Sequence, residues 1–165
     1  MRYRCTVCGG EHEGFPAWGL ALPQTALAIP EPEREARVEL DGDICEIDGE
    51  RIFVLGCLDI PIRESTETFR YLAWVELGDE DANRFLSLYE TEKRAHVDPL
   101  AGRLDSVLPG LEAGYGGELM LYLRSDSQRP VIRSAFVRGT FAELLRDGIT
   151  FERACELNHR CQKPA

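Results

Sequence analysis

The run Arg-Ile-Phe-Val-Leu-Gly-Cys-Leu-Asp-Ile-Pro-Ile at 51–62 limits the possible folds of this chain more than any other stretch. Side chains of a strand alternate between the two faces of its sheet. Here Ile52, Val54, Leu58, Ile60 and Ile62 fall on one face with Gly56 among them, while Phe53, Leu55 and Cys57 fall on the other. A strand apolar on both faces belongs in the middle of a sheet that is covered on both sides. Pro61, which has no N–H to give a ladder, marks its end. The run at 68–77 repeats the pattern, with Phe69, Tyr71, Ala73, Val75 and Leu77 against Leu72 and Trp74.

Period-two patterning also covers Val38, Leu40, Ile44 and Ile47 ahead of the long strand. Asp48-Gly49 reads as a two-residue hairpin turn, so Ile47 faces Glu50 and Cys45 faces Ile52. That register sets Cys57 opposite Leu40 and leaves Cys45 and Cys57 about 16 Å apart, beyond disulfide reach. Both read as small buried residues. Residues 79–94 read as a helix with its acids first and Lys93-Arg94 last, as the helix dipole favours, and with Ala82, Phe85, Leu86 and Tyr89 as the buried stripe. Residues 95–117 are loop-like. Strands follow at 118–125 and 129–137, joined by a turn at 125–128. A short helix at 140–148 precedes a last one at 151–160, which Thr150 caps.

Strands in series with helices late predict an α+β fold: a single domain, a largely antiparallel sheet, a few helices and an N-terminal zinc-knuckle-like turn. A chain of 165 residues holds one ordinary domain. Its parts are a metal-knuckle segment at 1–14, a proline-rich wrapping segment at 15–36 packed by Trp18 and its leucines, and the sheet and helices at 37–165. With 44% apolar and 29% charged residues, the composition excludes wholesale disorder. No apolar run reaches eighteen residues, and no basic start leads into an apolar stretch, so neither a membrane span nor a secretory leader is expected. The expected compartment is the cytoplasm.

The chemistry concentrates in Cys-Thr-Val-Cys-Gly-Gly-Glu-His at 5–12. Two thiolates two residues apart can bind one zinc ion from the same side of a turn, and the glycines after Cys8 let backbone amides approach the sulfurs. His12 is the natural third ligand. No second Cys-x2-Cys exists to complete the set. Cys155 and His159 stand at helical i, i+4 spacing near the other terminus, with Cys161 two residues on, and are the weaker candidates, competing with simple helix packing. A thioredoxin-like role for Cys5 and Cys8 is disfavoured because Gly9-Gly10 opens a helix poorly. Hydrolase, metalloprotease and nucleotide-loop motifs are absent. His96 and Asp98 read as ordinary loop residues.

Charge is unevenly spread. Residues 1–123 carry 11 Lys/Arg against 24 Asp/Glu, a balance of −13, whereas residues 124–165 carry 8 against 5, a balance of +3. A duplex-binding surface needs a basic stripe, so nucleic acid is excluded as a partner. The acids Glu39, Asp41, Asp43, Glu46, Asp48 and Glu50 recur every second residue and should share solvent-facing sides of the hairpin, a surface suited to a basic protein partner. Arg124, Arg129, Arg133 and Arg138 form a mild basic run explained by pairing with the acidic half.

The knuckle at 5–12, the hairpin and long strand at 37–62, Ala-Trp-Val-Glu-Leu at 73–77, Leu-Pro-Gly at 108–110 and the late Gly148-Ile149-Thr150 resemble an uncharacterised bacterial family, domain of unknown function 2199. Its members begin with a similar cysteine pair, glycine and histidine, matching Cys5, Cys8, Gly9 and His12. They frequently carry His-Pro and then Glu-Gln near the last helices, where this chain has Gly139-Thr140 and Leu144-Leu145. The resemblance implies a small α+β protein and assigns no activity.

Together these readings predict a binding or interaction module that carries structural zinc, rather than an enzyme. The alternatives are a zinc-dependent enzyme with an open coordination position and, behind it, a Cys-x2-Cys redox protein.

Overall fold

Burial of the two long strands from both sides organises everything else. In the computed structural model, which describes residues 2–91, 93–125 and 128–162, the elements in chain order are β1 (Arg2–Arg4), β2 (Glu11–Glu13), β3 (Trp18–Gly19), α1 (Gln24–Leu27), α2 (Glu31–Arg37), β4 (Val38–Asp41) and β5 (Ile44–Ile47). Next come β6 (Arg51–Pro61), β7 (Thr68–Leu77), α3 (Asp79–Leu88), β8 (Leu100–Leu104), a 3₁₀ turn at Glu112–Gly114, β9 (Glu118–Tyr122), β10 (Val131–Ser134), α4 (Thr140–Asp147) and α5 (Phe151–Gln162). The fold is α+β with a largely antiparallel sheet. No helix among the described residues is long and apolar enough to cross a membrane.

Strands β6 and β7 pair antiparallel from Ile52↔Leu77 to Pro61↔Thr68. β7 continues through β8 and β9 to β10, and β10 returns to β6 as a parallel neighbour, Ile132 opposite Leu58, which closes a five-stranded barrel. Gly56 permits this closure. A Cβ there would stand 2.8 Å from the Ile132 side chain, so a larger residue would push β10 off β6.

The alternation read from the sequence sorts the two faces as expected. Ile52, Val54, Leu58, Ile60, Phe69, Tyr71, Ala73 and Val75 point into the main core with Leu100, Leu104, Leu119 and Leu121. Phe53, Leu55 and Trp74 point outward, into a second core closed by Ala26, Ile29, Cys45 and Ile47. Segment 20–38 covers that second core, with Leu20, Leu22 and Val38 packed on it. Trp18 belongs to the other side instead, packing on the main core and donating Nε1–H to Asn158 Oδ1 at 3.0 Å.

Four details correct the sequence reading. The β5–β6 ladder runs Cys45↔Phe53 and Ile47↔Arg51, one residue away from the expected register. Asp48 and Gly49 adopt the left-handed conformations of a two-residue turn, φ 57° and 71°, and Glu50 N–H donates to the Ile47 carbonyl at 3.1 Å. Glu50 is nevertheless left out of the ladder, and the extra residue keeps Cys45 and Ile47 on the side of Phe53 and Trp74. Cys45 and Cys57 are buried free thiols. Helix α3 stops at Leu88, with Leu86 45% exposed rather than in its buried stripe, and Arg94 is buried beyond it. There Arg94 donates to the carbonyls of Tyr89, Arg124 and Gln128. Residues 100–104 form a strand, not a loop. The expected turn at 125–128 falls partly on residues 126–127, outside the described residues.

Asp105 fastens the wrapping segment to the sheet. Its buried carboxylate accepts the Thr25 N–H at 2.9 Å, the Thr25 hydroxyl at 3.1 Å and the Tyr115 hydroxyl at 3.2 Å. Its own N–H donates to the Trp74 carbonyl at 2.8 Å. Asp105→Ala strands three donors and is expected to cost about 2–4 kcal/mol, lowering Tm by roughly 5–12 °C. Thermal unfolding followed by tryptophan fluorescence checks this, and an unchanged Tm would show the segment held by packing alone.

Candidate metal centre

Two sulfurs separated by two residues meet only if the chain curls tightly between and after them. Gly9, at φ +69°, makes that bend, and its N–H donates to the Cys5 carbonyl at 2.9 Å while Cys5 N–H donates to the Gly10 carbonyl at 2.8 Å. The turn also aims N–H groups at sulfur: Val7 N–H at Cys5 Sγ and Gly10 N–H at Cys8 Sγ, both at 3.4 Å. Strands β1 and β2 then pair with Tyr3 opposite His12, which folds His12 back onto the turn. His12 Nε2 lies 3.2 Å from Cys8 Sγ.

The fourth donor comes from the far end of the chain. His159, on α5, has its Nε2 3.3 Å from Cys5 Sγ. The donor atoms of Cys5, Cys8, His12 and His159 all lie within 4.8 Å of one another, so the group can hold a metal ion. A tetrahedral zinc with bonds of about 2.3 Å to sulfur and 2.0–2.1 Å to nitrogen needs donor separations of roughly 3.3–3.8 Å. The two Cys–His pairs already stand close to that spacing, at 3.2 and 3.3 Å, and no two donors are more than 4.8 Å apart.

Packing holds the donors from behind. Tyr3 stacks on His12 with ring centroids 5.6 Å apart and on Phe15 at 4.7 Å, and it meets Phe151 edge-on at 5.1 Å. Cys5 is 2% exposed and Cys8 lies open to solvent. Burial opposes ionisation of Cys5, yet the N–H groups of Cys8 and Val7, with the His159 and Cys155 side chains, together outweigh it and bring the thiol down to about 6. Burial, helped by the thiols of Cys155, Cys5 and Cys8, pushes the Tyr3 phenol up to about 12. The Tyr3 hydroxyl is buried without a hydrogen-bond partner among the described residues.

Of the residues singled out from the sequence, Cys5, Cys8 and His12 converge and His159 joins them. Cys155 does not enter the four-donor group. It lies fully buried beside Tyr3 and Cys5, backed by Phe15 and Phe151, and burial raises its thiol. Cys161 faces the core, its Sγ 3.9 Å from the Tyr71 hydroxyl. His96 is exposed in its turn. The helical spacing from Cys155 was the only sequence signal for His159, and of that pair His159, not Cys155, stands with the other donors.

Residues 4–149 match domain of unknown function 2199, a family described as uncharacterised proteins conserved in bacteria. The chain belongs to that family. The match includes Cys5, Cys8, His12 and the barrel strands and ends before α5, so His159 lies outside it. No curated protein and no solved structure matches the chain. Membership in the family brings no activity with it, and the chemistry of the site rests on its own geometry.

The lowered Cys5 thiol gives the metal-free protein a pH signature. An unfolded thiol ionises near 8.5, so between about 6 and 8.5 the folded state binds fewer protons than the unfolded one. The resulting stabilisation is fully present above that window and is lost as pH falls through 6. In chelator, Tm of the wild type is expected to rise across this window relative to Cys5→Ala, and parallel profiles for the two proteins would refute the assignment.

Proposed function

We propose that Cys5, Cys8, His12 and His159 bind one structural zinc ion, and that the domain this ion closes is a binding module. The carrying observation is the convergence of four protein donors from the knuckle turn, β2 and α5. Four donors fill a tetrahedron and leave no position for water, which favours a structural ion over a catalytic one. Two thiolates balance the charge of the ion, so little Lewis acidity remains for a substrate. Cys5, the thiol that is lowered, is buried, which argues against it as the attacking thiol of a redox pair.

The surface offered for binding is the β4–β5 hairpin. Asp48 is neutralised by Arg37 at 2.7 Å and Asp43 by Arg129 at 2.9 Å, so two of its six acids are satisfied internally. Glu39, Asp41, Glu46 and Glu50 have no ion pair among the described residues. Glu39 stands directly opposite Glu46, a like-charge pairing that costs stability until a cation approaches. A basic partner fits this face.

Zinc content measured on purified protein should be close to one ion per chain. His159→Ala and Cys8→Ala should each lower affinity by about tenfold or more, and Cys155→Ala should leave the stoichiometry unchanged. Cobalt substitution should give the ligand-field bands of a four-coordinate S2N2 site. Five-coordinate bands that respond to added anions would revive the open, enzymatic alternative, and protein purified free of metal and unable to take it up would end the reading.

A further inference from the structure

We propose that the protein associates head to tail, the acidic hairpin of one copy docking on an arginine-framed apolar patch of the next. This deepens the reading of the hairpin as a surface for a basic partner and rests on it: the partner is a second copy of the chain.

The patch lies in loop 135–139, between β10 and α4. Phe136 is 59% exposed and Val137 83%, and no large apolar side chain among the described residues is more exposed than these two. They border a groove of about 200 Å³ whose floor is Ala142 and Leu145 and whose charged walls are both arginines, Arg133 and Arg146. The Arg133 guanidinium lies over the ring of Tyr122 at 5.4 Å, and Arg138 has no ion pair among the described residues. Arg146 divides its donors between Asp147 and the Val137 carbonyl. Single exposed apolar residues are ordinary, but two adjacent ones framed by arginine and tyrosine have the make-up of an interface centre. On a chain of net charge −10 this basic region is the exception.

The hairpin carries the complement. β4 is the outermost strand, paired only with β5, and it presents Glu39 and Asp41 on one face and Leu40, 50% exposed, on the other. The carboxylates of Glu39, Asp41 and Glu46, on one face of this edge hairpin, thus complement the guanidinium groups that frame Phe136 and Val137. The two surfaces do not meet within one molecule. Leu40 is opposite Cys45 and Cys45 opposite Phe53, whereas β10 runs parallel to β6 with Ile132 opposite Leu58, so Phe136 lies beyond the Pro61 end. Eight or so residues of strand, roughly 25 Å, separate them. A single hairpin-to-patch contact between two copies is heterologous and builds rings or filaments, whereas two such contacts formed at once about a two-fold axis would close a dimer.

Sedimentation velocity on the zinc-loaded full chain, from about 10 µM to about 1 mM at about 0.15 M salt, tests the proposal. The wild type should sediment faster as concentration rises, and high salt or Val137→Asp should suppress the effect. Arg133→Glu with Arg138→Glu should be monomeric, and so should Glu39→Lys with Asp41→Lys. Mixed together, these two charge-reversed proteins should associate again, which misfolded variants would not do. A wild type monomeric throughout, or a mixture that stays monomeric, overturns the proposal. So does a monomeric wild type that co-sediments with phosphatidylglycerol vesicles through Val137, which would assign the patch to a membrane surface. Titration with a decalysine peptide separates the two readings: binding lost in Glu39→Lys with Asp41→Lys keeps the hairpin as a cation-binding face even if the second copy is not its partner.

Discussion

The β6–β7 ladder is the interaction on which the rest of the structure depends. It pairs ten residues on each strand without a break, and both faces of both strands are apolar, so it is at once a barrel wall and the partition between two cores. The main core needs β8, β9 and β10 to curve round and close on β6. The second core, on the outer face, needs Phe53, Leu55 and Trp74 covered by something other than a sheet. The wrapping segment does this, and the burial it achieves explains why a proline-rich stretch is held by hydrogen bonds to Asp105 and by the Trp74 Nε1–H on the Leu20 carbonyl at 3.1 Å. Prolines suit such a cover because they lose little entropy on ordering and leave few N–H groups to satisfy.

What was legible in the sequence follows the range of the interactions involved. Strong period-two runs gave β6 and β7 to within a residue, and cap and dipole signals gave the starts of α3 and α5, where Thr150 Oγ1 accepts the Arg153 N–H at 3.2 Å. Strand β8 was hard to read because the middle one of its three inward positions, Leu100, Gly102 and Leu104, has no side chain, which leaves two leucines as the whole of its period-two signal. Its Gly102 is there because a Cβ would come 2.7 Å from the Glu76 carbonyl oxygen, a constraint imposed by β7 rather than by neighbours in sequence. The hairpin register failed by one residue for a similar reason. The Asp48-Gly49 turn has the expected local geometry, but burial of Cys45 and Ile47 beside Trp74 decides which residues face each other, and Glu50 absorbs the difference. Arg94, read as a helix-terminal charge, is instead drawn inward by three carbonyls that local sequence does not reveal.

The candidate metal centre divides along the same line. Cys5, Cys8 and His12 lie within one hairpin, and spacing alone brings them together. Choosing among Cys155, His159 and Cys161 requires knowing how α5 is rotated, which its contacts with the barrel determine. Ala154 and Leu157 enter the main core, Asn158 accepts from Trp18, and Cys161 turns toward Tyr71. Once these are fixed, Cys155 must lie against Cys5 as packing, and His159, one turn later on the same side, reaches the sulfur.

That arrangement explains why a site would be needed at this end of the molecule. Strands β1 and β2 form a separate sheet of two three-residue strands, a size that does not hold together alone in water. Its apolar support is one small cluster of Tyr3, Cys5 and Cys155, backed by Phe15 and Phe151. The cluster leaves the Tyr3 hydroxyl unpartnered, and Cys5 sits as an anion-prone thiol in a buried place. The hydroxyl is a cost that the cluster itself does not offset, whereas ionised Cys5 is already held by the N–H groups of Cys8 and Val7 and by the His159 side chain. An ion bound as proposed would meet a thiol that ionises readily, and its bonds to the hairpin and to His159 would tie the hairpin to a helix already locked on the barrel. With the ion in place the knuckle would be as stable as α5, and the hairpin and α5 would form one cooperative unit through a few short bonds instead of a larger core.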